Sequence, residues 1–233
     1  MDEEIRSWLD DLKVNLEKLR ELGDARRLTD NKFSLSQTTT SYLAEGGLEF
    51  IMEATDDEIK EFFKLFLNSL INVEKYKGQF KFSNYITPSA LWEHFAKSFI
   101  LSIGLGYSFK GAELTGGPGD LGVDIKTTFE ENDVIVQCKR GKFFCKGKGT
   151  AITLQLVGAM VFHEARYGII VTNERQSDIK NDAKRIVEKV HASDGRAVQF
   201  FCYEDFIYAA ENDIKGCKTL LKTFIKEHIR LED

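Results

Sequence analysis

Proline is scarce in this chain, and long apolar runs are missing from it. Two prolines occur among the 233 residues. No apolar stretch approaches the roughly 18 residues that a membrane-spanning helix requires. The first residues, MDEEIRSWLDD, are acidic, whereas a secretory signal peptide begins with basic residues. We therefore expect a cytoplasmic protein with no membrane partner.

The patterns that mark several common kinds of site are missing as well. The four histidines form no HExxH or HxH pattern, and no CxxC pair is found among the four cysteines, Cys138, Cys145, Cys202 and Cys217. Zinc sites need such closely spaced ligands, so we expect reduced, buried thiols. Neither a GxxxxGK(S/T) loop nor a GxSxG motif is present, which argues against an NTPase and against a serine hydrolase.

Charge is spread unevenly along the chain. The net charge of −5 does not by itself favour nucleic acid as a partner. Residues 134–163, however, contain no acidic residue, and within ten positions the chain carries five basic ones, Lys139, Arg140, Lys142, Lys146 and Lys148. We call residues 142–148 the basic loop. This loop is either a solvated face or a surface that contacts phosphates.

The N-terminal third of the chain predicts a small helical module. One face of an amphipathic helix over residues 2–22 is formed by Ile5, Leu9, Leu12, Leu16 and Leu19. A second helix is expected to begin after Thr55, because Thr55 and Glu58 have the spacing of a capping box. We interpret residues 1–80 as a helical N-terminal module, connected through residues 75–86 to a second domain at residues 81–233.

The second domain alternates helices and strands. Thr87 and Pro88 have the types expected at the start of a helix, which should end near Gly104. A hairpin follows at residues 119–142, and then an almost wholly apolar helix. Two apolar strands, separated by a helix, and an amphipathic helical stretch complete the pattern; they cover residues 167–173, 177–191, 197–203 and 204–231. We predict a mixed α/β sheet with helices on both sides.

The hairpin carries an acid, an amide and an ammonium group. Alternate residues of a strand share a face, so Gln137 and Lys139 are expected to point the same way. A turn centred on residues 131–132 would bring Asp124 of the first strand close to Lys139 across the ladder. We therefore expect the three side chains to converge on one patch of the sheet.

This combination of groups suits hydrolysis of a phosphodiester. A carboxylate is a hard oxygen ligand for Mg²⁺, and a lysine can orient water and stabilise the charge that develops on phosphorus. Val123 and Ile125 are expected to fill the opposite face of the first strand. Glu93, between Trp92 and Phe95 of an apolar helix, either faces water or serves the same site. The alternative is an ordinary ion pair across a solvated hairpin.

Four segments of the second domain resemble one known family. In chain order they are GDLGVDI, VIVQCKR, LQLVGAM and YGIIVTN, and they resemble the catalytic domain of Mrr-like restriction endonucleases, which have the PD-(D/E)xK nuclease fold. The resemblance extends over residues 87–206. It implies a restriction-endonuclease-like core, with residues 81–233 as the catalytic domain. In this family the acid-x-Lys triplet is commonly Gln-x-Lys, which accounts for Gln137.

The resemblance also implies a role for individual residues. Asp124 would be the acid that binds Mg²⁺, for which Mn²⁺ can substitute, and Gln137 and the backbone carbonyl of Cys138 would be further ligands. Lys139 would position or activate water, and Glu93 matches a catalytic helix acid that supports the metal. Gln155 matches a helix glutamine that faces the site. With the basic residues Arg140, Lys142, Lys146 and Lys148, which the charge pattern indicates, it makes up the set that we expect to contact DNA.

Function is therefore expected to be DNA cleavage, with several alternatives open. The resemblance implies a metal-dependent endodeoxyribonuclease of restriction or defence against foreign DNA. The alternatives are a structure-specific nuclease such as a junction resolvase, an effector activated by a partner or second messenger, and a non-catalytic DNA-binding protein. One hairpin supplies one site, which attacks one strand at a time, so we expect a homodimer or higher oligomer. The apolar stripe of residues 2–22 is covered either within the chain or by a second protomer.

Overall fold

The computed structural model describes residues 51, 54–72, 87–103, 107–115 and 121–228. The helices in these ranges are α1 (Asp56–Ile71), α2 (Pro88–Ser102), α3 (Gly149–Phe162), α4 (Asn181–Asp194), α5 (Tyr203–Asn212) and α6 (Ile214–His228). The strands are β1 (Phe109–Leu114), β2 (Ile125–Phe129), β3 (Asn132–Lys139), β4 (Tyr167–Thr172) and β5 (Ala197–Phe201). The predicted helix at residues 2–22 and the predicted connection at residues 75–86 lie outside the described residues.

The five strands form one mixed sheet in the order β1-β2-β3-β4-β5. Strands β1, β2 and β3 are antiparallel neighbours, whereas β3, β4 and β5 run parallel. Parallel neighbours need a crossover, and here α3 connects β3 to β4 while α4 connects β4 to β5. The predicted mixed α/β sheet with flanking helices is confirmed.

Two hydrophobic clusters cover the two faces of the sheet. On one face, Val136 of β3 packs with α1, α2, α5 and α6, where Phe95 is in ring contact with Phe206 and Phe224 at centroid distances of 5.7 and 6.1 Å. On the other face, Ile135 packs with α3 and α4. Because both faces are covered, β3 and β4 are buried on both sides, and this explains their nearly continuous apolar sequences.

Helix α1 begins at the predicted capping box and belongs to the main core. The side chain of Thr55 accepts from the N–H of Glu58 at 3.4 Å, and the Glu58 carboxylate accepts from the N–H of Thr55 at 2.8 Å. Phe63 and Leu67 of α1 lie in the same cluster as the buried face of α2. Helix α1 therefore shares its core with the domain that follows, although it precedes residue 80. The domain division at that residue stays a prediction.

The hairpin turn lies one residue earlier than predicted. Residues 130–131 form the turn, with φ values of 47° and 64°, and Phe129 pairs with Asn132 across it. Positive φ at both turn positions is better tolerated by asparagine than by glutamate, and the sequence therefore favoured Asn132 as a turn residue. In the structure Asn132 begins β3, and its Nδ2 donates to the carbonyl of Glu130 at 2.8 Å.

The four cysteines are free thiols. Cys138, Cys202 and Cys217 are buried, as predicted, whereas Cys145 is exposed in the basic loop. Burial, together with nearby carboxylates, raises the pKa of Cys202 and of Cys217 to about 12. These two thiols are therefore neutral core side chains at neutral pH. Among the described residues, no helix has the length and apolarity to cross a membrane.

Candidate active site at the ends of strands β3 and β4

Asp124 lies directly before β2 and contacts the C-terminal half of β3. Its N–H donates to the carbonyl of Val136 at 2.8 Å, and its Oδ2 accepts from the N–H of Cys138 at 2.5 Å. These two contacts lie on either side of Gln137. Asp124 is therefore beside Gln137 and not opposite Lys139 as predicted, because the earlier turn shifts the pairing of the two strands by two positions.

The alternation of side chains is interrupted at Asp124. Val123 packs in the cluster under α3, whereas Ile125 packs in the cluster under α2, so the prediction that both fill one face is wrong. A regular strand places residues two apart on the same face, but β2 is regular only from Ile125 onward. Leu121 and Gly122 have φ values of 54° and 80°. The chain thus turns into the strand just before Asp124, and the carboxylate reaches across to β3.

Gln137 has a buried amide without a partner. The residue is 0% exposed, and neither its Oε1 nor its Nε2 makes a hydrogen bond within the described residues. Buried amide atoms are normally paired, because an unpaired one costs about 1–3 kcal/mol. A hard cation or an ordered water beside the Asp124 carboxylate would satisfy the amide oxygen. The residues present therefore fit a divalent cation.

Gly122 allows a second amide to approach the same place. A Cβ at this position would overlap the amide of Gln155 and would stand 2.8 Å from the Nε2 of Gln137. Gln155 reaches over from α3 and donates from its Nε2 to the carbonyl of Leu121 at 3.4 Å. The sequence motif contained Gly122 but suggested no role for it. A side chain at this position would have to displace both amides and adopt a strained backbone with φ of 80°.

The pKa of the Cys138 thiol is shifted by the charged groups of the site. Burial raises its pKa well above the usual value, the carboxylates of Asp124 and Glu93 raise it further, and the ammonium group of Lys139 opposes them. Two carboxylates and one ammonium group are thus near the same buried sulfur atom. Glu93 is half-buried on α2, so its position favours service to the site over a purely solvated role.

A comparison with protein families agrees with this geometry. Residues 90–207 match the family model described as restriction endonuclease. The chain belongs to the Mrr-like restriction endonuclease family. The match contains the whole sheet and the residues from Glu93 to Gln155. A search of the curated proteins gives no match. The domain is a restriction-type nuclease that acts on DNA, and its family generally uses divalent metal ions.

The candidate metal-binding groups of this nuclease domain are few within the described residues. Among the described residues, no three or more side chains of His, Cys, Asp and Glu group together as a metal site. Asp120, which precedes the site in the sequence, lies outside the described residues. The candidate ligand set is therefore Asp124, Gln137 and Glu93 with the backbone carbonyl of Cys138, and its roles stay predictions.

The basic loop follows β3 and begins three residues after Lys139, the last residue of the Gln-x-Lys triplet. Lys142, Lys146 and Lys148 are exposed, and none of the three forms an ion pair within the described ranges. Arg140 is placed differently. It is half-buried, and its Nη1 donates to the carbonyl of Ile71 at the end of α1 at 3.0 Å. Part of its guanidinium group therefore joins α1 to the sheet, and its predicted contact with DNA stays a prediction.

Two residues that sequence analysis missed hold this loop. Asn173 and Glu174 directly follow β4, and the Oδ1 of Asn173 accepts from the N–H of Gly141 at 2.6 Å. The Glu174 carboxylate accepts from the backbone N–H groups of Phe143, Phe144 and Cys145. Polar residues at the carboxyl end of a buried parallel strand were the available signal, because sites of α/β sheets collect at that edge.

Proposed function

We propose that this nuclease is a metal-dependent endodeoxyribonuclease that hydrolyses DNA phosphodiester bonds with Mg²⁺, in restriction or defence against foreign DNA. The observation that carries the proposal is the buried, unpartnered amide of Gln137, the residue between the two β3 residues whose backbone Asp124 contacts. A protein that only bound DNA would gain nothing from this amide, which costs folding free energy. An enzyme that holds a cation there would recover the cost.

Each group of the proposed site has a defined task. When bound, a divalent cation would polarise the scissile phosphate and lower the pKa of a water molecule. Asp124, whose Oδ2 accepts from the N–H of Cys138 at 2.5 Å, would hold the cation through its carboxylate. Gln137 offers its amide oxygen, Cys138 its backbone carbonyl, and Glu93 a second negative charge. Mn²⁺ is expected to substitute, because it prefers the same oxygen ligands.

Lys139 and the basic loop act on the substrate. Lys139 ends β3, two residues beyond Gln137 and in register with Thr172 of β4, so its ammonium group can orient the attacking water and stabilise charge on the phosphate. The three exposed loop lysines and Gln155 would contact the DNA backbone. This arrangement would supply positive charge close to the bond that is cut.

We further propose that the nuclease acts in the cytoplasm as a homodimer or higher oligomer, with residues 1–80 as a module that targets DNA, dimerises or regulates. One site cuts one strand at a time, so a double-strand break in one binding event needs two sites. Light scattering at micromolar concentration tests the state. Removal of residues 1–50 is the suitable truncation, because α1 packs in the main core. A monomer that makes double-strand breaks in one event would refute the dimer.

The activity is tested with methylated and unmethylated plasmid in Mg²⁺, Mn²⁺ or EDTA. We expect cleavage with either metal and none in EDTA. Asp124→Ala and Lys139→Ala should lose cleavage and keep DNA binding, whereas the matched controls Asp133→Ala and Lys126→Ala, exposed on the same hairpin, should cut normally. Full cleavage by Lys139→Ala would contradict the assignment. Preference for branched over linear DNA would instead indicate a structure-specific nuclease.

A further inference from the structure

Glu174 is a buried acid that the proposed chemistry does not use. The residue is 5% exposed, and its backbone is fixed on both sides. Its N–H donates to the Oγ1 of Thr172 at 3.2 Å, and its carbonyl accepts from the N–H of Tyr203 at 3.0 Å. A buried carboxylate is costly to keep unless its oxygens are well paired, so the partners of this side chain indicate what it is for.

The partners all belong to the basic loop. One oxygen accepts from the N–H groups of Phe143 and Phe144 at 2.6 and 2.7 Å, and the other accepts from the N–H of Cys145 at 2.9 Å. The Glu174 carboxylate also raises the pKa of the exposed Cys145 thiol. Three consecutive backbone N–H groups thus converge on one carboxylate, which pins the middle of the loop to the end of β4.

Glu174 binds the loop without neutralising its lysines. Its oxygens are occupied by backbone groups, and Lys142, Lys146 and Lys148 remain exposed. A fourth amine, the Nζ of Lys180, lies 3.9 Å from the place where a Cβ on Gly147 would stand. An exposed acid here would instead pair with these lysines. The buried position therefore leaves the positive charges available to an anion.

Glu174 lies close to the proposed active site at the ends of β3 and β4. Thr172, two residues before Glu174, is the register partner of Lys139, and the loop begins three residues after Lys139. Gly141 and Gly147, beside and within the loop, have φ values of 133° and 79°. Glycines give a chain conformational freedom that must be lost before rigid binding, so a loop with these residues gains most from an anchor.

We propose that Glu174 is a positioning residue that holds the basic loop in one conformation, so that its lysines meet the phosphates of DNA beside Lys139. The inference rests on the proposed function and deepens it, because it names the residue that prepares the DNA-contacting surface. Holding the loop in advance removes the cost of ordering it when DNA binds. Glu174 touches neither DNA nor the reacting atoms.

The test uses Glu174→Gln in the full-length protein, with Glu188→Gln as the matched control. Glu188 is exposed on α4, so its variant changes the net charge equally. In Glu174→Gln the new amide oxygen can still accept hydrogen bonds, but the new NH₂ group faces the N–H of Cys145 as a second donor. We expect amide exchange at residues 143–145, measured without DNA, to rise about tenfold or more in Glu174→Gln and to stay unchanged in Glu188→Gln.

The salt dependence of DNA affinity distinguishes a positioning role from a purely structural one, because a purely structural role would leave it unchanged. With each glutamate variant combined with Asp124→Ala to prevent cleavage, Glu174→Gln should weaken binding and flatten the plot of log affinity against log salt by up to about 0.9 per lost contact. With Asp124 intact, KM for DNA should rise while kcat at saturating DNA is maintained. If Glu174→Gln folds poorly, Glu174→Asp, which keeps the charge and shortens the reach, carries the same expectations.

The outcomes separate this inference from the proposed function. A wild-type protein that neither cuts nor binds DNA would refute the proposed function. A wild type that cuts DNA, with a Glu174→Gln salt slope like that of Glu188→Gln, would overturn the inference alone. A lower melting temperature with an unchanged salt slope would likewise overturn it, because it would assign Glu174 a purely structural role.

Discussion

Replacement of Gln137 by methionine is expected to stabilise the metal-free nuclease and to abolish its cleavage of DNA. The amide is 0% exposed, and its two polar atoms lack hydrogen-bond partners within the described residues. Counted as one group, a buried amide without partners costs about 1–3 kcal/mol. Methionine has a similar length and no branch, so it can fill the same space. The free energy of unfolding should therefore rise by about 1–3 kcal/mol.

Thermal unfolding in EDTA measures this gain. For a chain of this length, each kcal/mol shifts the melting temperature by roughly 2–4 °C, so the increase should be readily detected. The matched control is Gln155→Met, an exposed amide with one long hydrogen bond of 3.4 Å, for which we expect a change within about 0.5 kcal/mol. Added Mg²⁺ should stabilise the wild type by mass action and should leave Gln137→Met unchanged.

A lower melting temperature for Gln137→Met in EDTA would refute the reasoning. It would show that the amide is satisfied in the metal-free protein, and the observation that carries the proposed metal site would be lost. Stabilisation together with full cleavage would also contradict the proposal, because it would separate the buried amide from the chemistry. Only stabilisation with loss of cleavage agrees with a group that is costly in folding and needed in function.

The other predictions concern charge. Gln137→Glu adds a carboxylate beside Asp124 and should tighten Mg²⁺ binding without DNA; unchanged affinity in calorimetry would place residue 137 away from the metal. Neutralising the three loop lysines together should flatten the salt dependence of DNA affinity by about 0.9 per lost contact, and an unchanged slope would make the loop a solvated face. Burial lowers the pKa of His94 and of His228 below 6.5. At low pH the unfolded chain therefore binds more protons than the folded one. The free energy of unfolding, measured with urea, should fall as the pH drops below about 6.5, and it should fall less steeply in His228→Phe.

The architecture could be predicted from local patterns. Apolar runs such as YGIIVTN indicated strands buried on both faces, and the Thr55–Glu58 and Thr87–Pro88 pairs indicated where two helices begin. Both helix starts are as predicted, with the N–H of Ala90 donating to the Oγ1 of Thr87 at 3.2 Å. Such signals are local, because the residues that form them are neighbours in the chain.

The pairing of the hairpin was harder to predict. It depends on which two residues occupy the turn, and the structure uses residues 130–131 at positive φ, where glutamate is uncommon. A shift of one turn position moves every pair by two residues, so Asp124 meets Gln137 and not Lys139. Gln137 and Lys139 are nevertheless on a predicted strand, β3, whereas Asp124 lies directly before β2, where the alternation of faces is interrupted.

The partners of Glu174 could not be predicted from the sequence because they are backbone groups. Every residue except proline has a backbone N–H group. Three such groups that converge on one carboxylate therefore need no particular residue types and produce no recognisable sequence motif. The carboxylate follows an apolar strand and lies about thirty positions from the loop that it holds. Contacts of this kind become visible only when the sheet brings the end of β4 beside the end of β3.

The amide in the proposed ligand set has a consequence for how the nuclease would bind a metal. A carboxylate at residue 137 would be a second buried negative charge beside Asp124, and without metal the two would repel each other and raise a pKa. The amide avoids this repulsion but also gives up attraction for the cation. The missing charge must then come from Glu93 or from the phosphates of DNA. If DNA supplies it, Mg²⁺ and DNA each strengthen the binding of the other by the same factor, because coupling between two ligands is reciprocal. Such a site holds its metal tightly only when there is DNA to cut.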